Sequence, residues 1–327
     1  MVTAHDLREA IVLLRGGEGA GAARPDPTPS EGPDPYGNPA PDWLRVDWSN
    51  HLHRCALDGA WVNYVEAGSP DAPPVLLIHG LDGCWQNWLE TIPHLARTRR
   101  VLALDLPGFG HSPMPSWRIS VPAYAAAVAQ LLDALEIDRL DLIGNSLGGL
   151  IAIEAALAQP RRIGRLVLVA PAGISSAGVR NEPAVLAARL IAGLAPLWVR
   201  LQEHAVRRPR LASLTFRTIF HRPGELRREL LYEHYRNGSG RPGFLPAVEA
   251  VAGYEPSSPL EALTTPTMIV WGRDDMILPV ADAAGYGSRL GSSQTVILDG
   301  TGHLPQLERP LRFNRLLDAF LNPMEPA

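Results

Sequence analysis

The chain of 327 residues has no lysine; all 30 of its basic residues are arginine. Chemistry that depends on a lysine amine is thereby excluded, including Schiff-base catalysis, pyridoxal phosphate attachment and the phosphate-gripping lysine of a Walker loop. Cysteine is almost as scarce. Cys55 and Cys84 can build neither a disulfide framework nor a zinc cage, which takes about four thiolate or imidazole ligands at short spacing. Both thiols read as reduced and incidental, and no metal or cofactor is expected. Long apolar runs are missing too: residues 75–78 and 166–170 fall far short of the roughly 20 residues that span a bilayer, so no transmembrane segment is expected. Nor is either charge in excess, since 30 basic against 34 acidic residues leave a net charge of -4. Despite a local cluster at Arg207, Arg208 and Arg210, that balance offers no broad positive field for nucleic acid. Asp6 and Glu9 stand where a secretory signal would be positive, and the apolar run 11–14 is too short for a signal core. A cytoplasmic location is the expectation.

What is present is 46% hydrophobic and 20% charged residues, enough for one large core or a core with an inserted subdomain. Leu7, Ala10, Ile11 and Leu14 share one helical face, which fits a short peripheral helix or a docking helix. Residues 16–41 are rich in Gly, Ala, Pro and Asp and cannot bury a core; they read as a surface wrap or a proline-rich ligand. Residues 1–42 are therefore assigned to a leader, with folded structure expected from Trp43.

From 43 to 171 apolar runs alternate with helical periodicity, the pattern of an α/β sheet with parallel later strands. Paired edge strands are expected at 51–57 and 61–66 around Asp58-Gly59, and buried strands at 75–79, 101–105, 140–144 and 166–170. Helices are expected at 86–96, 121–135 and 147–159. Between 172 and 263 no strand is expected, and helical periodicity runs through 185–201, 211–220 and 225–235. This stretch reads as a helical cap inserted into the sheet. The second part of the core, 264–327, adds strands at 267–271 and 294–298 and a helix at 310–321.

The segment Gly144-Asn145-Ser146-Leu147-Gly148-Gly149 lies between an expected strand and an expected helix. A strand turning into a helix within a few residues, with a polar residue at the apex, needs small neighbours because the backbone is crowded there. Ser146 could be a helix cap; in this context it reads as a nucleophile, and the helix start supplies N–H groups for an oxyanion. A serine hydroxyl needs an imidazole to take its proton and an acid to fix that imidazole's tautomer. Asp274 and Asp275 follow one strand, and His303 lies between the last strand and the last helix.

Together with Leu77-Ile78-His79-Gly80, the turn from Asp105 to Ser112, and Trp271-Gly272 with Pro279, these motifs make the chain resemble the serine-nucleophile branch of the α/β-hydrolase fold superfamily. The resemblance covers residues 48–321. It implies a mostly parallel twisted sheet flanked by helices, with the insertion as its cap domain. It also implies a Ser146, Asp275 and His303 triad and an oxyanion hole formed by the backbone N–H groups of Leu81 and Leu147. Asp275 is preferred over Asp274 because it stands three residues after the glycine and four before the proline. His79 and the turn after Asp105 are implied to be structural.

With serine at the apex, acyl transfer is the chemistry permitted. The expected activity is hydrolysis of a carboxylic ester, and the expected partner is a small-molecule ester or related acyl substrate. The Gly-Asn-Ser elbow is also similar to that of hydrolases that cleave carbon-carbon bonds in meta-cleavage products. Those usually have a different loop after His-Gly and a tryptophan after the histidine, where this chain has Leu81 to Cys84 and Leu304. A non-catalytic receptor on this fold is the third reading. Trp85 and Trp88 are expected to flank the site entrance or to be simple packing residues, and Leu197 and Trp198 to line an acyl pocket or fill the cap's own core. The sequence sets no oligomeric state.

Overall fold

Short apolar runs broken by turns pair into one eight-stranded sheet: β1 (Leu52–Leu57), β2 (Ala60–Ala67), β3 (Pro74–Ile78), β4 (Arg100–Leu104), β5 (Leu140–Asn145), β6 (Ile163–Val169), β7 (Thr267–Gly272) and β8 (Ser293–Leu298). The structure is a computed structural model and describes residues 33–177 and 195–322. Strand order is β1-β2-β4-β3-β5-β6-β7-β8, antiparallel at β1/β2 and β2/β4 and parallel at every later pairing. The chain leaves β3 for β4 on one side and crosses back to β5 on the other. The carboxyl ends of β3 and β5 thus flank a switch point, where open α/β sheets hold their ligands.

The inner strands are apolar on both faces, as strands covered on both sides must be. Alternation sends Leu76, Ile78, Leu142, Leu168 and Trp271 into one core. Val75, Leu77, Ile143, Val169 and Val270 face the other. The first core is closed by the helices Val121–Ala134 and Leu147–Ala158. The former starts where the Ser120 hydroxyl accepts the Ala123 N–H at 3.2 Å, with Pro122 in its first turn. The second is closed partly by Phe313, Leu317 and Leu321 of the final helix Pro310–Leu321. At the opposite end of the sheet from the switch point, Arg99 pairs with Asp141 at 2.7 Å, and both are buried.

All described elements between β6 and β7 are helical, among them Ala195–Val206, Pro209–Thr215, Arg228–Gly238 and Phe244–Val251. The last has no counterpart in the periodicity, because Pro246 and flanking turns shorten its signal. The expected 7–14 helix and most of the expected 185–201 helix lie outside the described residues. Two expectations are corrected. Residues 86–96 do not form one helix but a 3-10 turn, Trp85–Trp88, and a single turn, Ile92–Leu95. Pro93 has no N–H to continue an earlier helix, and its ring excludes the carbonyl a turn before. Packing also starts ahead of Trp43: the Tyr36 hydroxyl donates to Glu308 at 2.6 Å and the Gly37 N–H to the Glu308 carbonyl at 2.7 Å.

On Arg228–Gly238, His234 is buried with its ring edge-on to Phe220, 5.5 Å between centroids. Burial lowers its pKa to about 4. The unfolded chain therefore takes up a proton near pH 6.5 that the folded chain refuses until about pH 4. Stability from this group is intact above pH 6.5 and is lost as the pH falls toward 4. In His234→Phe, denaturant titrations over that window should show a shallower fall in unfolding free energy, by up to about 1.4 kcal/mol per pH unit.

Candidate active site

β5 ends and the helix Leu147–Ala158 begins with only Ser146 between them, so this residue turns the chain in one step, at φ 53° and ψ -117°. A side chain is strained there by about 1–3 kcal/mol, and the neighbouring contacts show what holds it. A Cβ on Gly148 would come within 2.3 Å of the Ile78 carbonyl oxygen and 2.5 Å of that of His79. One on Gly144 would meet the Gly148 carbonyl at 2.2 Å. The helix start is thus pressed onto the ends of β3 and β5. The Ser146 N–H donates to Val169 at 2.9 Å, and its carbonyl accepts from Gly149, Leu150 and Ala172. Its Cβ lies so near Gly80 that a Cβ there would stand 2.9 Å away.

His303 follows β8 and Asp275 follows β7, and the parallel pairing of those strands sets the two loops side by side. His303 Nδ1 lies 2.7 Å from Asp275 Oδ2. The other carboxylate oxygen accepts the Ile277 and Leu278 N–H groups at 2.8 and 3.0 Å. A carboxyl held this way accepts a hydrogen bond from the imidazole's Nδ1–H, which leaves Nε2 as an acceptor. Gly272 makes the approach possible, since a Cβ there would fall 2.0 Å from the Gly302 carbonyl oxygen. Asn145, beside the apex serine, donates through its amide to the His303 carbonyl at 3.3 Å and to that of Val169 at 3.0 Å. Ser146 and His303 are 8% and 5% exposed, so a substrate would meet them in a largely dry setting. Asp274 points elsewhere, half-exposed and 3.8 Å from His221 Nδ1. Of the two candidate acids, the structure brings Asp275 to the imidazole.

Leu147 is the first residue of its helix, where N–H groups have no partner within the helix. Leu81 follows Gly80 in a turn closed by the Gly83 N–H on the Gly80 carbonyl at 3.1 Å, with Asp82 in the left-handed region at φ 57°. His79 supports this turn from below. Its Nδ1 lies 2.7 Å from the Gly80 carbonyl and its Nε2 accepts the Leu106 N–H at 3.0 Å. Burial lowers its pKa to about 4, so the ring is a neutral strut. Asp105 is buried as well. It accepts the Trp85 and His111 N–H groups and the Asn63 amide at 2.8–2.9 Å, and desolvation pushes its carboxyl up. Asp82 accepts from the Ser239 hydroxyl at 3.1 Å and the Gly240 N–H at 3.2 Å, tying this loop to the helical insertion. Burial raises its pKa to about 6.

The expected substrate-contacting residues fare differently. Trp85 and Trp88 are 4% and 0% exposed and belong to the second core. Their loop is drawn inward where Asp105 holds the Trp85 N–H, so both indoles pack the interior rather than flank an opening. Leu197 and Trp198 lie on Ala195–Val206, and their side chains are outside the described residues. Cys84 is fully buried, and its thiol is pushed far up by that burial. Among the described residues no group of three or more His, Cys, Asp or Glu side chains could hold a metal ion, and no helix is long and apolar enough to cross a membrane. Sequence reasoning missed Asn145 and Glu308. The only trace of the latter is an acid directly after the uncharged stretch from Leu304 to Leu307.

The profile of the family described as alpha/beta hydrolase fold matches residues 73–310. A curated relative, 2-hydroxy-6-oxo-2,4-heptadienoate hydrolase of Pseudomonas putida, is 32% identical over 264 residues, covering 76% of this chain and 88% of its own. Among solved structures, a bacterial membrane phospholipase A superposes with a TM-score of 0.65 at 30% identity, covering 83% of this chain and 85% of its own. A putative lipase from Acinetobacter baumannii gives 0.67 at 25% identity, covering 87% and 97%.

The strain at Ser146 can be measured separately from any chemistry. Ser146→Ala keeps the Cβ in the disfavoured conformation, whereas Ser146→Gly removes it. Thermal and denaturant unfolding should find Ser146→Gly more stable than Ser146→Ala by about 1 kcal/mol. Equal stabilities would mean that the apex stores no strain.

Proposed function

Because the chain belongs to the alpha/beta hydrolase fold family, we propose that it is a serine hydrolase cleaving a carboxylic ester of a small to medium, largely apolar substrate through a seryl acyl-enzyme. The observation that carries this reading is the His303–Asp275 contact at 2.7 Å, in a loop tied through Asn145 to the strained turn at Ser146. A strained apex held by close backbone contacts is a standing cost to the fold, and such costs gather where geometry serves chemistry.

In this proposal the Ser146 oxygen attacks the ester carbonyl as His303 Nε2 takes its proton. Asp275 keeps the other ring proton on Nδ1 and stabilises the imidazolium. Charge developing on the carbonyl oxygen is met by the N–H groups of Leu147 and Leu81, each typically worth about 2.7–4 kcal/mol to the transition state. His303 then gives its proton to the departing alkoxide. Water, deprotonated by the same nitrogen, releases the acid and restores the serine.

A second reading is favoured by the curated relative whose name gives it a dienoate as substrate: hydrolysis of a carbon-carbon bond in a vinylogous diketone. Two features support the ester instead. Leu304 stands after the histidine, where the carbon-carbon hydrolases usually have tryptophan. Asp82, two residues from Gly80, is half-buried with a pKa raised to about 6 by desolvation, so an anionic substrate brought to that loop would face a like charge above that pH. Neutral esters escape this repulsion.

Short-chain 4-nitrophenyl esters should be hydrolysed, and Ser146→Ala should lower kcat/KM by several orders of magnitude, leaving the residue due to the N–H donors and binding. Assaying a dienoic diketo acid beside the esters ranks the two bond types by kcat/KM. A higher value for the diketo acid would overturn the ester reading. Saturable binding of both without turnover would favour a receptor.

A further inference from the structure

Behind the loop that carries His303 lies the carboxylate of Glu308, which is 0% exposed and collects donors from three separate parts of the chain. The Gly302 N–H lies 3.0 Å from each of its oxygens, and the Leu304 N–H 3.3 Å from Oε1. One side chain thus holds the peptide groups on both sides of His303. Its Oε2 also accepts the His221 N–H at 2.7 Å and the Tyr36 hydroxyl at 2.6 Å. The groups of His303 itself are fixed as well: its N–H donates to the Ile219 carbonyl at 2.9 Å, and its carbonyl accepts from Asn145. Tyr36 is anchored in turn. Its oxygen accepts the Arg222 N–H at 2.8 Å, and the guanidinium groups of Arg222 and Arg309 lie 4.5 and 5.5 Å from its ring centroid.

A buried carboxylate is a costly way to fill space, and an apolar side chain of similar volume would do so more cheaply. What the carboxylate adds is several acceptor sites on two oxygens, which can gather N–H groups from converging loops. Gly302 is matched to this arrangement. A Cβ there would stand 2.8 Å from the Ile219 carbonyl oxygen, 2.9 Å from the His221 nitrogen and 3.0 Å from Glu308 Oε1.

We propose that Glu308 is the positioning residue for His303: it locks the loop bearing the imidazole to residues 219–221 of the insertion and, through Tyr36, to the segment ahead of the first strand. The proposal rests on the serine hydrolase reading for its catalytic consequence. Without that lock the loop can shift while the Asp275 and Ser146 loops stay in place, and a displacement of about 1 Å at a reacting group can cost about 100-fold in rate.

The test compares Glu308→Gln and Tyr36→Phe with the wild type and with Asp141→Asn, which breaks the buried pair at the far end of the sheet. Glutamine keeps one acceptor oxygen but turns an amide toward the Tyr36 hydroxyl and the His221 N–H. Each protein is followed by ester kinetics, thermal unfolding and the low-field proton resonance of His303 Nδ1–H, which reports the bond to Asp275 without any substrate. Glu308→Gln should lower kcat by roughly 10- to 100-fold with KM held within about 2-fold, and should shift or broaden the resonance. Tyr36→Phe should do the same to a smaller degree, whereas Asp141→Asn should lower only the unfolding midpoint. Loss of midpoint in Glu308→Gln and Tyr36→Phe with kcat and resonance unchanged would overturn the proposal. Should Glu308→Gln not fold, Tyr36→Phe decides by the same two readouts. Absence of ester turnover in the wild type would count against the functional reading alone, since the resonance still decides the role of Glu308.

Discussion

Close contact between main chains at the carboxyl ends of β3 and β5 is the constraint from which the site follows. Gly148 lies against the carbonyls of Ile78 and His79, and Gly144 against that of Gly148, at distances no side-chain carbon could share. This contact forces the strand-to-helix change through one residue and puts Ser146 beside Gly80. A looser junction would let the serine relax into a favoured conformation and withdraw it from the loop. The apolar character of Leu147–Ala158, buried over ten of its residues, supplies the packing that keeps the junction shut: its side chains fill the first core between sheet and neighbouring helix.

A second level of organisation concerns the polar groups beneath the site. His79 and Asp105 are buried; His79 is occupied by two backbone partners, and Asp105 by two backbone N–H groups and the Asn63 amide. They shape the turns after β3 and β4, as surfaces of fixed hydrogen-bonding demand. Asp82 and Glu308 extend this scheme to the insertion, one through Ser239 and Gly240 and the other through the His221 N–H. The loop after β3 and the loop after β8 are therefore each stitched to a different part of the helical segment. Each of these four groups spends its hydrogen-bonding capacity on neighbouring segments, and loss of water shifts each from its ordinary pKa.

Much of this was legible in the sequence where a residue type has one physical use. All eight strands were legible within three residues at each end: the inner ones because a strand covered on both faces has no room for polar side chains, and the exposed β1 through the turn at Asp58-Gly59 that pairs it with β2. The glycines around Ser146 announced a crowded turn, and the order of serine, acid and histidine matched that of the family the chain resembles. Asp275 was separable from Asp274 only by family resemblance, and the coordinates separate them by contact. Legibility failed where a role depends on distant partners. For Trp85 and Trp88 the sequence leaves site entrance and packing open, and a hydrogen bond from Trp85 to a carboxylate 20 residues later decides for the core. Tyr36 and Glu308 meet across 272 positions, and no local pattern marks either. The proline-rich composition around Tyr36 describes a chain without a core of its own and hides that residues 36 and 37 pack onto Glu308.

The attachment of residues 219–221 to the loop at 302–308 bears on how a substrate could enter. A helical segment fastened to the base at 219–221 and again at 239–240 cannot lift away as a whole, so any widening of a path to Ser146 has to come from stretches of the insertion outside these two fastenings.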